Sequence, residues 1–129
     1  MNNYFLYKKE SAEINVAVFE VHKQLGVGLM EKVYQEALAH EFILRNIPFE
    51  QEKKFQLYYK GILLDAFYIA DFVCYDKIIV ELKAVTELLD VHKAQVRNYL
   101  ALTGLNLGLL YNFNQLFIKP TRILNPNNI

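Results

Sequence analysis

The sequence predicts an α/β domain with one mixed sheet, and three observations support that prediction. Two segments with helical periodicity open the chain, three strand-like segments follow, and a further helix then separates two more strand-like runs. A strand, a helix and a second strand in succession indicate a parallel pair joined by a crossover helix, whereas the meander before them indicates antiparallel pairing. The crossover helix then covers one face, and the two N-terminal helices cover the other face or wrap an edge.

Two helices are predicted before any strand. Residues 11–24 carry apolar side chains at helical spacing, and Ser11 is a suitable N-cap. The segment 25–28, Leu-Gly-Val-Gly, breaks this helix. A second helix is predicted over residues 29–45, because it ends before the segment Asn-Ile-Pro at 46–48.

The first strands form a predicted meander. Residues 49–59 alternate in polarity, and Lys60-Gly61 is a turn signal leading into residues 62–75, so the two segments form a hairpin. A turn at 76–77 leads into the apolar run 77–85, which is predicted to pair with the strand before it.

A third helix is predicted over residues 88–103, where Gly104 stops it. Strands at 105–113 and 116–119 follow. Residues 120–129 are predicted to be a loose tail, which leaves one domain over residues 1–129 with its core at about 11–119.

Composition excludes several classes of protein. The chain has 129 residues, with 14 Lys plus Arg against 14 Asp plus Glu, so it lacks the general positive field of a non-specific nucleic-acid coat protein. The single cysteine, Cys74, excludes an internal disulfide and a Cys-rich zinc site. No leader pattern and no apolar run of membrane-spanning length are present, which predicts a cytoplasmic protein without membrane association. Folding as a single chain and as a symmetric homo-oligomer are both open.

A charged pair inside the apolar run 77–85 is the main functional signal. Glu81 and Lys83 are two apart, so on a strand they share a face while Leu82 points to the other. Surface alternation, a buried ion pair and a metal-binding cleft all fit that spacing. Asp71, which is also polar among apolar residues, lies on the adjoining predicted strand and favours the cleft.

Metal-dependent phosphodiester hydrolysis needs oxygen ligands and a cation near the nucleophile. The carboxylates of Asp71 and Glu81 and the backbone carbonyl of Leu82 are candidate ligands of Mg²⁺ or Mn²⁺, with Lys83 against the attacking water. A zinc hydrolase would show paired His ligands, and the sequence has no such motif.

Two helices add further candidates. Gln95 and Tyr99 lie at i and i+4, on one face of the third predicted helix. Lys93 and Arg97 have the same spacing and are candidate substrate-binding residues. Glu31 lies in the first turn of the second predicted helix, where an acidic residue also favours the macrodipole without any other function.

These motifs occur in an order that resembles a known family. The segments are Gly28-x-x-Glu31-x-x-Tyr34, Asp71, Glu81-Leu82-Lys83 and Gln95-x-x-x-Tyr99. Together they resemble the bacterial GxxExxY protein family, a branch of the PD-(D/E)XK nuclease superfamily close to RecB-like and lambda-exonuclease-like nucleases. The likeness runs over residues 13–113. Ala70 stands where the superfamily name has proline.

The resemblance implies a restriction-endonuclease-like α/β/α core with a mixed, mostly antiparallel sheet. It implies that Asp71 and Glu81 are metal ligands, that Glu31 completes or supports the metal site, and that Lys83 is the catalytic lysine. It also implies that Gln95 and Tyr99 orient active-site groups or the substrate phosphate.

The sequence therefore predicts a Mg²⁺- or Mn²⁺-dependent nuclease that hydrolyses phosphodiester bonds with metal-activated water, on DNA in preference to RNA. The alternative is a non-catalytic module that retains the fold and binds nucleic acid or protein. His22 is either a further metal ligand or an ordinary helix-face histidine.

Overall fold

The computed structural model describes residues 6–127 and has three helices and five strands over that range. The helices are α1 (Lys8–Leu25), α2 (Glu31–Leu44) and α3 (Asp90–Thr103), and the strands are β1 (Phe49–Tyr59), β2 (Ile62–Cys74), β3 (Ile78–Lys83), β4 (Leu107–Asn112) and β5 (Thr121–Leu124). Within residues 6–127, no helix combines the length and the apolar character needed to cross a membrane.

The five strands form one mixed sheet in the order β1-β2-β3-β4-β5. Strands β3 and β4 are parallel and the other neighbours are antiparallel. The helix α3 is the crossover between the parallel pair, as predicted. Lys60 and Gly61 form the hairpin turn between β1 and β2, and both have positive φ angles, 48° and 77°, as a two-residue turn of this kind requires.

Helices cover both faces of the sheet. Ile78, Val80 and Leu82 of β3 belong to a buried cluster with residues of α1 and α2, whereas Ile79 belongs to a second cluster with residues of α3. Because strand side chains alternate between faces, this division places α1 and α2 on one side and α3 on the other. The predicted α/β/α architecture is confirmed.

The helix α1 begins earlier than predicted. It starts at Lys8, so Ser11 lies in the first turn and its hydroxyl donates a hydrogen bond to the Lys8 carbonyl oxygen (3.2 Å). Ser11 is therefore not the N-cap, because its side chain bonds back into the helix instead of receiving a free backbone N–H.

The last strand lies further along the chain than predicted. Strand β5 is at Thr121–Leu124 and pairs with β4, and Ile123 and Asn125 are buried. Residues 116–119 form no strand, and Leu116 and Phe117 in this segment are exposed. The prediction of a loose tail is thus wrong for the segment 121–125, while residues 128–129 lie outside the described range.

Candidate active site

The two central carboxylates lie where β2 and β3 begin to separate. The pairing of these strands runs from Cys74 and Ile78 to Phe72 and Val80. One step further, side chains bridge the strands: the Asp71 N–H donates to Glu81 Oε2 (3.3 Å), and the Leu82 N–H donates to Asp71 Oδ2 (2.8 Å). Each carboxylate is thus held by the backbone of the opposite strand.

The alternation of side chains between the two faces of the sheet is interrupted in β2 at Asp71. Tyr68 and Ala70 belong to the α3-side cluster, but Phe72 and Cys74 belong to the cluster on the α1 and α2 side. Strict alternation would place all four side chains on one face, so the pattern shifts by one residue between Ala70 and Phe72.

On the neighbouring strand β1, the residue that faces this shift is also irregular. Glu52 lies between the pairs Gln51 with Phe72 and Lys53 with Ala70, and it has a left-handed backbone with φ 52°. A non-glycine residue in this conformation is uncommon and such residues cluster at functional sites. Both strands are therefore distorted where Asp71 lies.

A pocket of about 230 Å³ opens at this distortion. It is lined by Glu31, Lys32, Gln35, Glu52, Asp71 and Leu82. Gln35 connects its walls, because Nε2 donates to Asp71 Oδ1 (3.2 Å) while Oε1 accepts from Lys32 Nζ (3.0 Å) and Gln51 Nε2 (3.2 Å). Lys32 also forms an ion pair with Glu52 (2.9 Å).

Glu81 is the buried acid of the site, with 8% of its surface exposed. The Tyr68 hydroxyl donates to its Oε1 (2.5 Å). Burial, together with a hydrogen bond to the Asp71 carboxyl and that carboxyl's negative charge, raises the pKa of Glu81 from 4.5 to about 9. Two carboxyl groups in this position share a proton unless a cation offsets their repulsion.

Tyr99 and Gln95 reach the site through Tyr68. The rings of Tyr68 and Tyr99 stack with centroids 3.5 Å apart. Gln95 hydrogen-bonds Tyr99, whose pKa is raised by partial burial and by the charge of Glu81. The structure thus joins Gln95, Tyr99, Tyr68 and Glu81 in one connected series.

The three basic residues predicted for the site do not all lie near it. Lys83 is half-buried and lies two residues beyond Glu81 on β3, hence on the same strand face. Lys93 and Arg97 lie about 160° around the axis of α3 from Gln95, with the buried residues Val96 and Leu100 on the face between. The structure therefore does not bring Lys93 and Arg97 to the flank that carries Gln95.

The glycine and tyrosine of the Gly28-x-x-Glu31-x-x-Tyr34 segment shape the loop before α2. The buried Tyr34 hydroxyl donates to the Gly26 carbonyl oxygen (2.6 Å) and accepts from the Leu29 N–H (3.2 Å). Gly28 has a φ of 94°, a conformation that favours glycine. These contacts fix the entry to α2 and place Glu31 at the pocket.

His22 lies near this loop but has another partner. Its Nε2 is hydrogen-bonded to the Gln115 carbonyl oxygen (2.8 Å), and its ring lies beside that of Phe113 (6.2 Å between centroids). This arrangement matches the ordinary helix-face histidine of the two interpretations.

Several residues around the site were not predicted, among them Lys32 and Glu52 of the pocket lining and the three described next. Gln35 follows Glu31 by one helical turn, and this spacing could have identified it. Tyr68 is a single hydroxyl in an apolar strand, which is no signal by itself. Asn112 is fully buried, and its amide donates to the Val85 carbonyl oxygen (2.9 Å) and accepts from the Val85 N–H (3.1 Å), so it holds the chain that leaves β3.

The residues present fit a hard divalent cation. Carboxylate and carbonyl oxygens are the ligands that Mg²⁺ and Mn²⁺ prefer, and Asp71 and Glu81 converge as a pair. Glu31 lines the same pocket as Asp71. Within residues 6–127, no three side chains of His, Cys, Asp or Glu lie close enough together to form a metal-binding cluster, so Glu31 does not join the pair directly.

Comparisons with known proteins agree with the fold. The family model of the PD-(D/E)XK nuclease superfamily matches residues 8–123. The crystal structure of a protein named SSO0001 is similar in fold, with a TM-score of 0.59 and 22% sequence identity over 74% of this chain. The match covers 50% of that protein's length, so the likeness extends over half of it. No curated protein sequence matches the chain significantly.

Proposed function

Since the chain belongs to the PD-(D/E)XK nuclease superfamily, we propose that it is a Mg²⁺- or Mn²⁺-dependent nuclease that hydrolyses phosphodiester bonds in DNA. We assign it to the bacterial GxxExxY group of that superfamily. The observation that carries the proposal is the carboxyl pair of Asp71 and Glu81, held at the separation of two strands beside an open pocket. A buried carboxyl with a pKa raised to about 9 has a poor environment for its charge unless a cation is bound.

Asp71 and Glu81 would hold the cation, with the Leu82 carbonyl oxygen as a further donor, and Glu31 would support the site from the pocket wall without joining the pair directly. A bound divalent ion would supply Lewis-acid activation of the phosphate and of a water molecule. Gln35 orients Asp71, because its amide donates to Oδ1 while Leu82 N–H occupies Oδ2. Tyr68 orients Glu81 in the same way from the other side of the sheet.

Lys83 is the candidate catalytic cation. It shares the strand face of Glu81, so its ammonium group can offset negative charge that develops on the phosphate and can orient the nucleophile. Tyr99 stacks on Tyr68 and Gln95 hydrogen-bonds Tyr99, and both residues are candidate contacts for the substrate phosphate.

The test is divalent-dependent cleavage of single-stranded DNA, duplex DNA and RNA by the purified protein. We expect Asp71→Asn and Lys83→Ala each to lower the rate by about 10²–10³. Asp65→Asn is the matched control, because Asp65 is an exposed carboxylate on the same strand β2 and lies outside the pocket. Undiminished cleavage by both site variants would contradict the assignment.

Metal binding separates this function from the alternative of a non-catalytic binding module. A ligand at 100 times its dissociation constant adds about 2.7 kcal/mol to the free energy of unfolding. A Mn²⁺-dependent rise in melting temperature that Asp71→Asn abolishes, without cleavage of any of the three substrates, would favour the binding module.

A further inference from the structure

The outer part of the β1–β2 hairpin extends beyond the helical layers. We call residues 55–69 the hairpin arm. Seven large apolar side chains in it are at least 40% exposed in the single chain: Tyr58, Tyr59, Ile62, Leu63, Leu64, Phe67 and Ile69. Because Tyr58 pairs with Leu63 and Tyr59 with Ile62, these side chains lie on both faces of the hairpin. Exposed apolar side chains gathered on one element mark interaction sites.

The hairpin arm also has an unprotected sheet edge. Strand β1 is an edge strand, and its inner half carries the charged residues Glu50, Glu52, Lys53 and Lys54, which discourage further strand pairing. Its outer half, Phe55-Gln56-Leu57-Tyr58-Tyr59, has no charge, no proline and no glycine. Its register with β2 shifts between Gln56 and Tyr58, and on either side of that shift this half can accept another strand.

We propose that the hairpin arm is covered by the hairpin arm of a second copy of this chain, in a two-fold symmetric dimer. The surface favours this partner because residues 55–59 carry no charge, so two copies meet without like-charge repulsion. The net charge of the whole chain is also zero, which removes the long-range repulsion that keeps many proteins monomeric. Antiparallel pairing of two identical edges satisfies a two-fold axis.

A nucleic-acid strand is the less suitable occupant. Stacking platforms for single strands combine aromatic side chains with cations along the backbone path. Here the two lysines that border the outer half of β1 lie over rings of the arm itself, Lys54 at 4.3 Å from the Phe67 centroid and Lys60 at 5.5 Å from that of Tyr59.

The available area is that of a weak dimer. A half-exposed large side chain offers on the order of 100 Å², and about half of the seven lie on one face, because Tyr58 pairs with Leu63 and Tyr59 with Ile62. One face therefore offers roughly 300–400 Å² per partner, against about 800 Å² in a standard interface, which places the dimer at the low end of the size range. Backbone hydrogen bonds between the two β1 edges would add to this apolar contact.

The proposal does not depend on the nuclease assignment, and its test is the mass of the full chain in solution. We expect sedimentation equilibrium to give twice the 15.1 kDa of one chain. Tyr58→Lys and Leu63→Lys replace two exposed residues that pair across the hairpin. Each should raise the dimer dissociation constant by about 30-fold or more, the effect of losing an interface hot spot.

Phe117→Lys is the matched control, since Phe117 is the most exposed of the large apolar residues within 6–127 and lies outside the arm. It should leave the dimer intact. Circular dichroism and melting temperature establish that each variant folds, which its exposed position leads us to expect.

A monomeric wild-type chain overturns the proposal. So does a dimer whose dissociation constant is unchanged in Tyr58→Lys and Leu63→Lys. If the wild type is monomeric and the same two variants weaken binding of a single-stranded oligonucleotide, the arm is a nucleic-acid surface and the dimer is excluded.

Discussion

The two ends of the β1–β2 hairpin differ in which side chains they bury: one end buries a carboxyl group and the other exposes large apolar side chains. At the pocket end, Asp71 of β2 lies against Glu81 of β3, a carboxyl that is 8% exposed. At the arm end, Tyr58 is 64% exposed. Both ends reverse the usual distribution, in which charges are solvated and large apolar side chains are buried. Such departures within one continuous pair of strands identify where function is to be sought.

Element lengths explain the difference. The helix α2 has 14 residues and is about 21 Å long, whereas β1 has 11 residues and is about 36 Å long. The strands therefore extend beyond the ends of the helices that cover them. Where α2 covers the strands, polar groups can be desolvated and held by hydrogen bonds, and where no helix reaches, apolar residues stay exposed until a partner covers them.

The largest expected contrast uses two phenylalanines of the same strand. Phe72 is fully buried between Phe42 and Phe49, and Phe67 is half-exposed on the arm. We expect Phe72→Ala to lower the free energy of unfolding by about 3–5 kcal/mol and Phe67→Ala by less than about 1 kcal/mol. Urea denaturation measures the two losses of free energy. Each variant is made in the Tyr58→Lys background, so that the single chain and not a dimer is unfolded. Equal losses would show that the arm is packed as firmly as the pocket end.

A second contrast uses two glutamines. Gln35 is buried and bonds Asp71, Lys32 and Gln51, whereas Gln56 is exposed on the arm. Gln35→Ala removes hydrogen bonds to the half-buried Asp71 and to two exposed side chains, and it should cost about 0.5–1.5 kcal/mol. Gln56→Ala should change stability by no more than about 0.5 kcal/mol.

Gln35→Ala should also weaken Mn²⁺ binding, measured by calorimetry, because Asp71 loses the hydrogen-bond donor that orients it. Mn²⁺ affinity equal to that of the wild type would mean that Gln35 does not position this carboxylate.

The third prediction concerns pH at the pocket end. Burial and the neighbouring Asp71 raise the pKa of Glu81 from 4.5 to about 9, so the folded chain holds a proton that the unfolded chain releases. Stability from this proton is fully present below pH 4.5 and is lost as the pH rises toward 9. In EDTA, urea denaturation should therefore show the free energy of unfolding of the wild type falling as the pH rises across this range. Glu81→Gln should lack this decrease.

Added Mn²⁺ should reverse the trend, because a metal binds the deprotonated carboxylate and its affinity rises with pH. A wild-type pH dependence identical to that of Glu81→Gln would refute the raised pKa.

The smallest expected effect comes from one hydroxyl. The Tyr68 hydrogen bond lowers the pKa of Glu81 and so opposes the effect of burial. Tyr68→Phe should raise this pKa further and move the onset of Mn²⁺ binding to higher pH. Tyr58→Phe, on the arm, is the control and should leave the pH at which Mn²⁺ binding begins unchanged. If Tyr68→Phe also leaves this pH unchanged, Tyr68 does not act on Glu81.

The features that the sequence predicted correctly depend on near neighbours in the chain. Periodicity located α2, α3 and the first four strands, and Lys60-Gly61 identified the hairpin turn, because such signals lie within a few residues. The shared face of Glu81 and Lys83 likewise follows from a two-residue repeat.

The features that the sequence missed depend on distant contacts. Residues 121–124 become a strand only because β4 offers a free edge, and Gln35 bonds a carboxylate 36 positions away. The shift of facing at Asp71 and the left-handed Glu52 arise together from two paired strands.

The sequence by itself determined the order of the elements and the acidic and basic residues of the candidate site, since local backbone preference and alternation are encoded by adjacent residues. The tertiary structure decided how Asp71 and Glu81 meet, which residues orient them and which part of the hairpin has no cover. Those properties are set by burial and by hydrogen bonds between segments far apart in the chain, which no local pattern contains.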